Sequence, residues 1–177
     1  MITILDIAAA IWWIFPAYCA NAAPVIFGGG HPMDFGKKFS DGKPLLGAHK
    51  TFRGFFAGLI IGTLVGLVQT LLYEQYLLEY GTQFQYSILL GFILSLGALT
   101  GDIIESFIKR RINRAPGKSL PIADQIDFIL GAFLFSISVS PPSVLWAVIV
   151  LLITVPTHLL TNLGATLLNM KNKGKNR

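Results

Sequence analysis

The run Gly54-Phe55-Phe56-Ala57-Gly58-Leu59-Ile60-Ile61-Gly62-Thr63-Leu64-Val65-Gly66-Leu67-Val68-Gln69-Thr70-Leu71-Leu72-Tyr73 contains no charged residue. As a helix, about 20 residues rise about 30 Å, the thickness of a bilayer's hydrocarbon core. The run is apolar on every face, unlike the one-sided stripe of a soluble helix. Four further stretches have the same character, giving five candidate spans at roughly 3–26, 54–73, 86–105, 121–140 and 143–168. Only 13% of the 177 residues are charged, about half the usual share, and 53% are hydrophobic. One soluble core could not bury several such runs. The expected fold is therefore all-α, a polytopic membrane protein of five transmembrane helices forming a single domain over 1–177.

Residues 3–26 do not read as a signal peptide. They lack a basic leading region, carry Asp6 and exceed the usual apolar length. Cys19 is the single cysteine, which excludes an intramolecular disulfide and any multi-cysteine zinc site.

All 14 Lys and Arg residues fall in three clusters: Lys37 to Arg53, Lys109 to Lys118, and Lys171 to Arg177. With five spans these occupy one side of the membrane, as the loops 27–53 and 106–120 and the tail. Positive charge is retained in the cytoplasm, which predicts an outside N-terminus and a cytoplasmic C-terminus in the cell membrane. The opposite loops carry only Glu74, Glu79 and the Pro141-Pro142 turn. Topology and attraction to anionic lipid heads account for the basic balance, so no nucleic-acid partner is expected.

The first basic loop is rich in glycine: Phe27-Gly28-Gly29-Gly30-His31-Pro32-Met33-Asp34-Phe35-Gly36-Lys37-Lys38, then Asp41-Gly42-Lys43 and Gly47-Ala48-His49-Lys50-Thr51-Phe52-Arg53-Gly54. Glycines expose backbone N–H groups and interspersed cations can face phosphate oxygens. Lys50, Thr51 and Arg53 adjoin a helix N-terminus, which favours anions. The loop lacks GxxxxGK[ST] and is not a P-loop.

The second region is Gly101-Asp102-Ile103-Ile104-Glu105-Ser106-Phe107-Ile108-Lys109-Arg110, followed by Pro121-Ile122-Ala123-Asp124-Gln125-Ile126-Asp127. Spacings of three and four put Asp102, Glu105 and Ser106 on one helix face, and Asp124 with Asp127 on another. Four carboxylates thus converge near the same membrane surface. Such groups need protonation, ion pairs with Lys109 or Arg110, or a divalent cation. Mg²⁺ takes one or two protein carboxylates plus substrate phosphates. Spacing alone leaves salt bridges and metal both open. Asn21, and His158 with Asn162 in the last span, are polar groups at membrane depth that commonly make interhelical hydrogen bonds.

Taken together, these motifs resemble the CDP-archaeol synthases, small archaeal membrane enzymes that transfer CMP from CTP to an isoprenoid-ether lipid phosphate. The resemblance covers essentially the whole chain and rests on Asn21-Ala22-Ala23-Pro24 with Gly28-Gly29-Gly30, Asp34-Phe35-Gly36, Asp41-Gly42-Lys43, Lys50 to Gly54, Gly101 to Arg110, and Asp124 to Asp127. Residues 101–127 are also similar to the larger CTP:phosphatidate cytidylyltransferases, whose Lys-Asp pair after Lys-Arg and Gly-His-Gly-Gly stretch are absent here. The resemblance implies Mg²⁺ held by Asp102, Asp124, Asp127 and Glu105, with Lys109 beside those aspartates in catalysis. It implies CTP contacts from Asn21, Asp34, Lys43, Lys50, Thr51 and Arg53, and lipid-phosphate contacts from Arg110 and Lys118. The expected partners are CTP, the lipid phosphate and the bilayer. Alternatives are the same chemistry on diacyl phosphatidic acid, and an ion-coupled transporter. Oligomeric state is not set by these residues.

Overall fold

The computed structural model describes residues 2–81, 85–115, 120 and 123–156. The expectations for Lys118, His158, Asn162 and the basic tail lie outside the described residues. Among the described residues the fold is all-helical, with α1 at Ile4–Phe27, α2 at Phe52–Leu72, α3 at Ile88–Arg111, α4 at Ala123–Ser136 and α5 at Val144–Pro156. No β-strand forms among them, only two isolated bridges in the 28–51 loop.

Each long helix starts at a polar cap. The Thr3 hydroxyl accepts from the Asp6 N–H while the Asp6 carboxylate accepts from the Thr3 N–H, a reciprocal box at α1. Thr51 caps α2 by accepting from the Gly54 N–H at 3.2 Å, and Ser87 caps α3 by accepting from the Leu90 N–H at 3.1 Å. A π-turn at Tyr73–Leu77 and a 3-10 turn at Leu78–Tyr80 extend α2, so the apolar helical stretch runs Phe52–Tyr80.

Among the described residues three stretches, Ile4–Phe27, Phe52–Tyr80 and Ile88–Arg111, are long and apolar enough to cross a membrane. Within the described residues, α4 covers Ala123–Ser136 and α5 covers Val144–Pro156. In the expected span at 121–140 the helix ends at Ser136, four residues before the predicted boundary. The expected span at 143–168 is described only as far as Pro156. α3 continues as a helix to Arg111, past the predicted boundary at 105, so Ser106, Lys109 and Arg110 sit on rigid helix and not in a loop.

Glycines let the helices touch. Gly54, Gly58, Gly62 and Gly66 recur every four residues and are all buried on α2. A methyl at Gly58 would fall 2.6 Å from the Ala20 carbonyl oxygen of α1, and one at Gly66 would fall 2.7 Å from the Gly91 Cα of α3. In lipid, apolar burial does not drive helices together, and close backbone approach is what gains contact. Around these seams Trp13, Ile14, Leu94, Phe128, Ile129 and Val150 form the core. Polar side chains also pair between segments: Gln69 Nε2 donates to the Trp12 carbonyl at 2.7 Å, Tyr86, just ahead of α3, donates to the Trp13 carbonyl at 3.1 Å, and the Tyr18 and Thr154 hydroxyls bond. The outward residues, among them Ile4, Ile60, Leu134, Val144 and Leu152, are exposed and apolar.

Candidate active site

The loop 28–51 folds back over the helix ends. Met33 N–H donates to the Lys50 carbonyl at 2.7 Å and Phe52 N–H to the His31 carbonyl at 3.2 Å, which closes the loop at its base. Asp34 organises its interior. Its carboxylate accepts from the N–H groups of Gly36 at 2.9 Å, Leu46 at 2.9 Å and Gly47 at 2.8 Å. Burial works to raise this carboxyl, but those three donors outweigh it and hold the group below its ordinary value. Phe35 and Gly36 have φ of 51° and 71°, the left-handed turn that these bonds maintain.

A cavity of about 630 Å³ opens between this loop, the end of α1, α3 and the start of α4. Asn21, Lys50, Thr51, Asp102, Lys109, Arg110, Asp124 and Asp127 all line it. Eight of the expected site residues are thus brought together by four different segments. Charges of both signs face each other there. Lys50 pairs with Asp102. Lys109 Nζ lies 2.7 Å from Glu105 Oε2 and 3.1 Å from Asp124 Oδ1, bridging α3 to α4. Asp124 also accepts from the Leu120 N–H at 3.0 Å, and Asp127 accepts from the Phe128 N–H at 2.7 Å. Arg110 is 95% buried by its 5% exposure, and its Nε and Nη1 have no hydrogen-bond partner in the protein. Leaving such buried donors unpaired is costly, and an anion is the partner that would relieve that cost.

Four expected residues fall elsewhere. Glu105 is buried against Lys109 and does not line the cavity. The oxygens of Asp34 are used by backbone donors, so it shapes the loop and does not reach the cavity wall. Lys43 Nζ donates to the Arg111 carbonyl at 2.8 Å, away from the wall. Arg53 is exposed. Because Thr51 is the cap, Thr51 and Gly54 face inward, three residues apart, and Arg53 projects from another side of the first turn. Gly28 to Gly30, read from sequence as exposed backbone that can face phosphate, and Ser106, placed there on the Asp102 face, also line the cavity, as does His49, which was not singled out. For Ser106 the signal was its spacing from Asp102.

Among the described residues, no three His, Cys, Asp or Glu side chains are gathered as a ready-made metal cage. The donor set still suits Mg²⁺. Asp102, Asp124 and Asp127 are oxygen donors on one cavity wall, and this ion completes its shell with phosphate oxygens and water.

A family model described as CarS-like, CDP-archaeol synthase, matches residues 1–174. This chain belongs to that family. It is 45% identical to the CDP-archaeol synthase of Methanocaldococcus jannaschii over 168 residues, covering 93% of this chain and 94% of the relative. It is 51% identical to that of Pyrococcus horikoshii over 127 residues, 72% of each chain. Its fold is similar to the solved structure of an intramembrane enzyme for archaeal membrane lipids biosynthesis, with a TM-score of 0.74 at 35% identity over 87% of this chain and 92% of that one. With three helices of spanning length among the described residues, the chain is a multi-pass membrane protein.

Proposed function

We propose that this CDP-archaeol synthase family member transfers CMP from CTP to an isoprenoid-ether glycerol phosphate, giving the CDP-lipid and pyrophosphate. The observation that carries this reading is the cavity itself, where Arg110, Lys109 and Lys50 stand among Asp102, Asp124 and Asp127. The lipid phosphate oxygen forms a bond to the α-phosphorus of CTP, and the bond from that phosphorus to the bridging oxygen breaks. The nucleophile is already ionised at neutral pH, so the site needs no serine, cysteine or general base. Its task is positioning and charge neutralisation.

Lys50 and Thr51 stand at the start of α2, where the helix N-terminus favours phosphate oxygens. Asn21 offers an amide for the base or ribose. Arg110 takes a phosphate through its open guanidinium donors. Lys109, held by Glu105 and Asp124, fixes the distance between α3 and α4 and keeps a positive charge at the reacting phosphates. Asp102, Asp124 and Asp127 would hold Mg²⁺, which would supply neutralisation of the triphosphate charge.

The reading extends to topology: five spans, N-terminus outside, and the cavity at the cytoplasmic face where CTP is available. The grouping of basic residues supports it. In a Cys19→Ala background, Lys37→Cys should be labelled by an impermeant maleimide only after the membrane is opened. Labelling of sealed cells from outside would invert the topology.

The deciding test is pyrophosphate release by the purified protein with CTP, Mg²⁺ and one of two lipid phosphates, isoprenoid-ether or diacyl. Release with the ether substrate is expected. No CTP-dependent release with either lipid would remove the cytidylyltransferase reading. A preference for the diacyl lipid above roughly a thousandfold would keep the chemistry and change the substrate.

A further inference from the structure

Arg111, the last residue of α3, is not on the cavity wall, yet it gathers contacts from the first loop. Its guanidinium donates to the Pro44 carbonyl, and its Nη1 lies 3.1 Å from Asp41 Oδ1. The guanidinium carbon lies 4.9 Å from the Phe39 ring centroid and 4.8 Å from that of Phe107, and these two rings meet edge-on at 90°. The Arg111 carbonyl in turn accepts from Lys43 Nζ at 2.8 Å. Both ends of one residue therefore grip the small turn 39–44.

That turn is continuous with a cavity wall. Lys38 and Pro44 form a bridge, and Leu45 N–H donates to the Lys37 carbonyl at 3.0 Å. Two residues beyond Pro44, Leu46 lines the cavity, followed by Ala48, His49 and Lys50. The facing wall consists of Asp102, Ser106, Lys109 and Arg110, on the same helix that ends at Arg111. One helix thus carries one wall and fixes the other.

We propose that Arg111 is a positioning residue that docks the 39–44 turn onto α3 and so sets the width of the nucleotide cavity. It touches no reacting atom. A planar fork lying against two adjoining aromatic rings is a task for Arg, and Lys keeps only the charge. The link to CTP rests on the cytidylyltransferase reading above; the docking itself does not.

The test uses the full chain in detergent, with Arg111→Gln, Arg111→Lys and Asp41→Asn. Tryptic cleavage after Lys37 and Lys38, measured without substrate, should quicken roughly tenfold in Arg111→Gln, because the turn opens without global unfolding. In the same variant the CTP KM should rise roughly tenfold with kcat within about threefold. Arg111→Lys should fall between wild type and Arg111→Gln in both readouts. Asp41→Asn removes the carboxylate charge that faces Arg111 and, at 3.9 Å, Lys43 within the turn, and leaves the rings and the Pro44 contact; it should shift both in the same direction by less, which decides the matter if Arg111→Gln does not fold. Unchanged cleavage in Arg111→Gln, or in Asp41→Asn where only that variant folds, overturns the proposal. So does a fall in kcat at constant KM, which would mean direct contact with the reacting groups. If wild type does not turn over CTP, the enzymatic reading fails and the cleavage rates alone decide the docking.

Discussion

Gly101 on α3 and Asp127 on α4 meet backbone to backbone: a methyl placed at Gly101 would lie 2.3 Å from the Asp127 carbonyl oxygen. The contact continues one helical turn along, where a methyl at Gly97 would lie 2.5 Å from the Gly131 carbonyl oxygen. The spacing between Asp102 and Asp127 is therefore set by the absence of a side chain beside them. Packed interiors resist such an insertion and respond by moving backbone.

Gly101→Ala should push α4 away from α3 and misplace the aspartates. A displacement of about 1 Å in a site of this kind costs on the order of a hundredfold in kcat. The side chains of Asp102, Asp124 and Asp127 are all retained in this variant and only their spacing changes, so substrate binding should suffer less than turnover. Steady-state kinetics on the variant, with gel filtration as the control for folding, provides the check. Wild-type kcat would show that the helix spacing does not govern the chemistry.

The aspartates should make activity depend on a divalent cation. Asp124→Asn and Asp127→Asn are each expected to abolish turnover while the protein stays folded, since loss of a metal ligand removes several kcal/mol of charge stabilisation. The two should differ in a second readout. Asp124 holds Lys109 and the Leu120 N–H, whereas the hydrogen bond that Asp127 accepts among the described residues comes from the adjacent Phe128 N–H. Asp124→Asn should therefore also lower thermal stability and Asp127→Asn should not. EDTA should stop the wild-type reaction and excess Mg²⁺ restore it; full activity in EDTA would exclude the metal.

The site was legible in the sequence wherever regular helix geometry carried it. Asp102, Ser106, Lys109 and Arg110 follow three- and four-residue spacing on a helix that does run through them, and Asp124 with Asp127 do the same on α4. The loop was less legible because its folding depends on long-range bonds. Nothing near Asp34 in sequence shows that Leu46 and Gly47 return to it. Arg53 depended on the phase of the first turn of α2, which the Thr51 cap sets. The glycines at 54, 58, 62 and 66 stood in a run read only for its hydropathy. Their spacing of four was the visible signal for the packing against α1 and α3.

Asp34→Asn should loosen the loop without touching the cavity wall directly. The carboxylate serves three N–H donors, and charge-assisted bonds of this kind contribute about 1–3 kcal/mol each to local stability. The same group gives the loop a pH dependence. Its folded-state value lies below the ordinary 3.8, so its stabilisation is fully present above that pH and is lost as pH falls through the lower folded value. Proteolysis of the loop should accelerate in Asp34→Asn at neutral pH. Equal protection in variant and wild type would mean that the three bonds contribute nothing to loop order.

Arg53 should tolerate replacement. It is exposed at the first turn of α2 and off the cavity wall, while its neighbours Thr51 and Gly54 are buried. Arg53→Lys keeps the surface charge, and changes at such positions stay within about 0.5 kcal/mol. The CTP KM should remain within about twofold of wild type. A rise well beyond that would place Arg53 on the triphosphate after all and require the first turn of α2 to rotate when nucleotide binds.

Lipid should reach the cavity past Val25. This residue is 87% exposed yet contributes to the cavity lining, so it stands at the lip where the apolar surface of α1 meets the charged interior. Its neighbours Ile26 and Phe27 are also exposed. A tail lying in the bilayer needs no enclosing pocket there, because lipid and helix surface are equally apolar. Only the phosphate has to enter, drawn by Lys109 and Arg110. Val25→Asp would set a charge on the path of the tail and oppose the incoming phosphate. A charge near the membrane interface costs less than the roughly 3 kcal/mol of the bilayer centre, so a lipid KM about fivefold to tenfold higher is expected. Val25→Leu should leave it unchanged, and neither variant should alter the CTP KM by more than about twofold. If Val25→Asp instead raises the CTP KM and leaves the lipid KM alone, this lip is the nucleotide entrance and the lipid arrives from another side of the bundle.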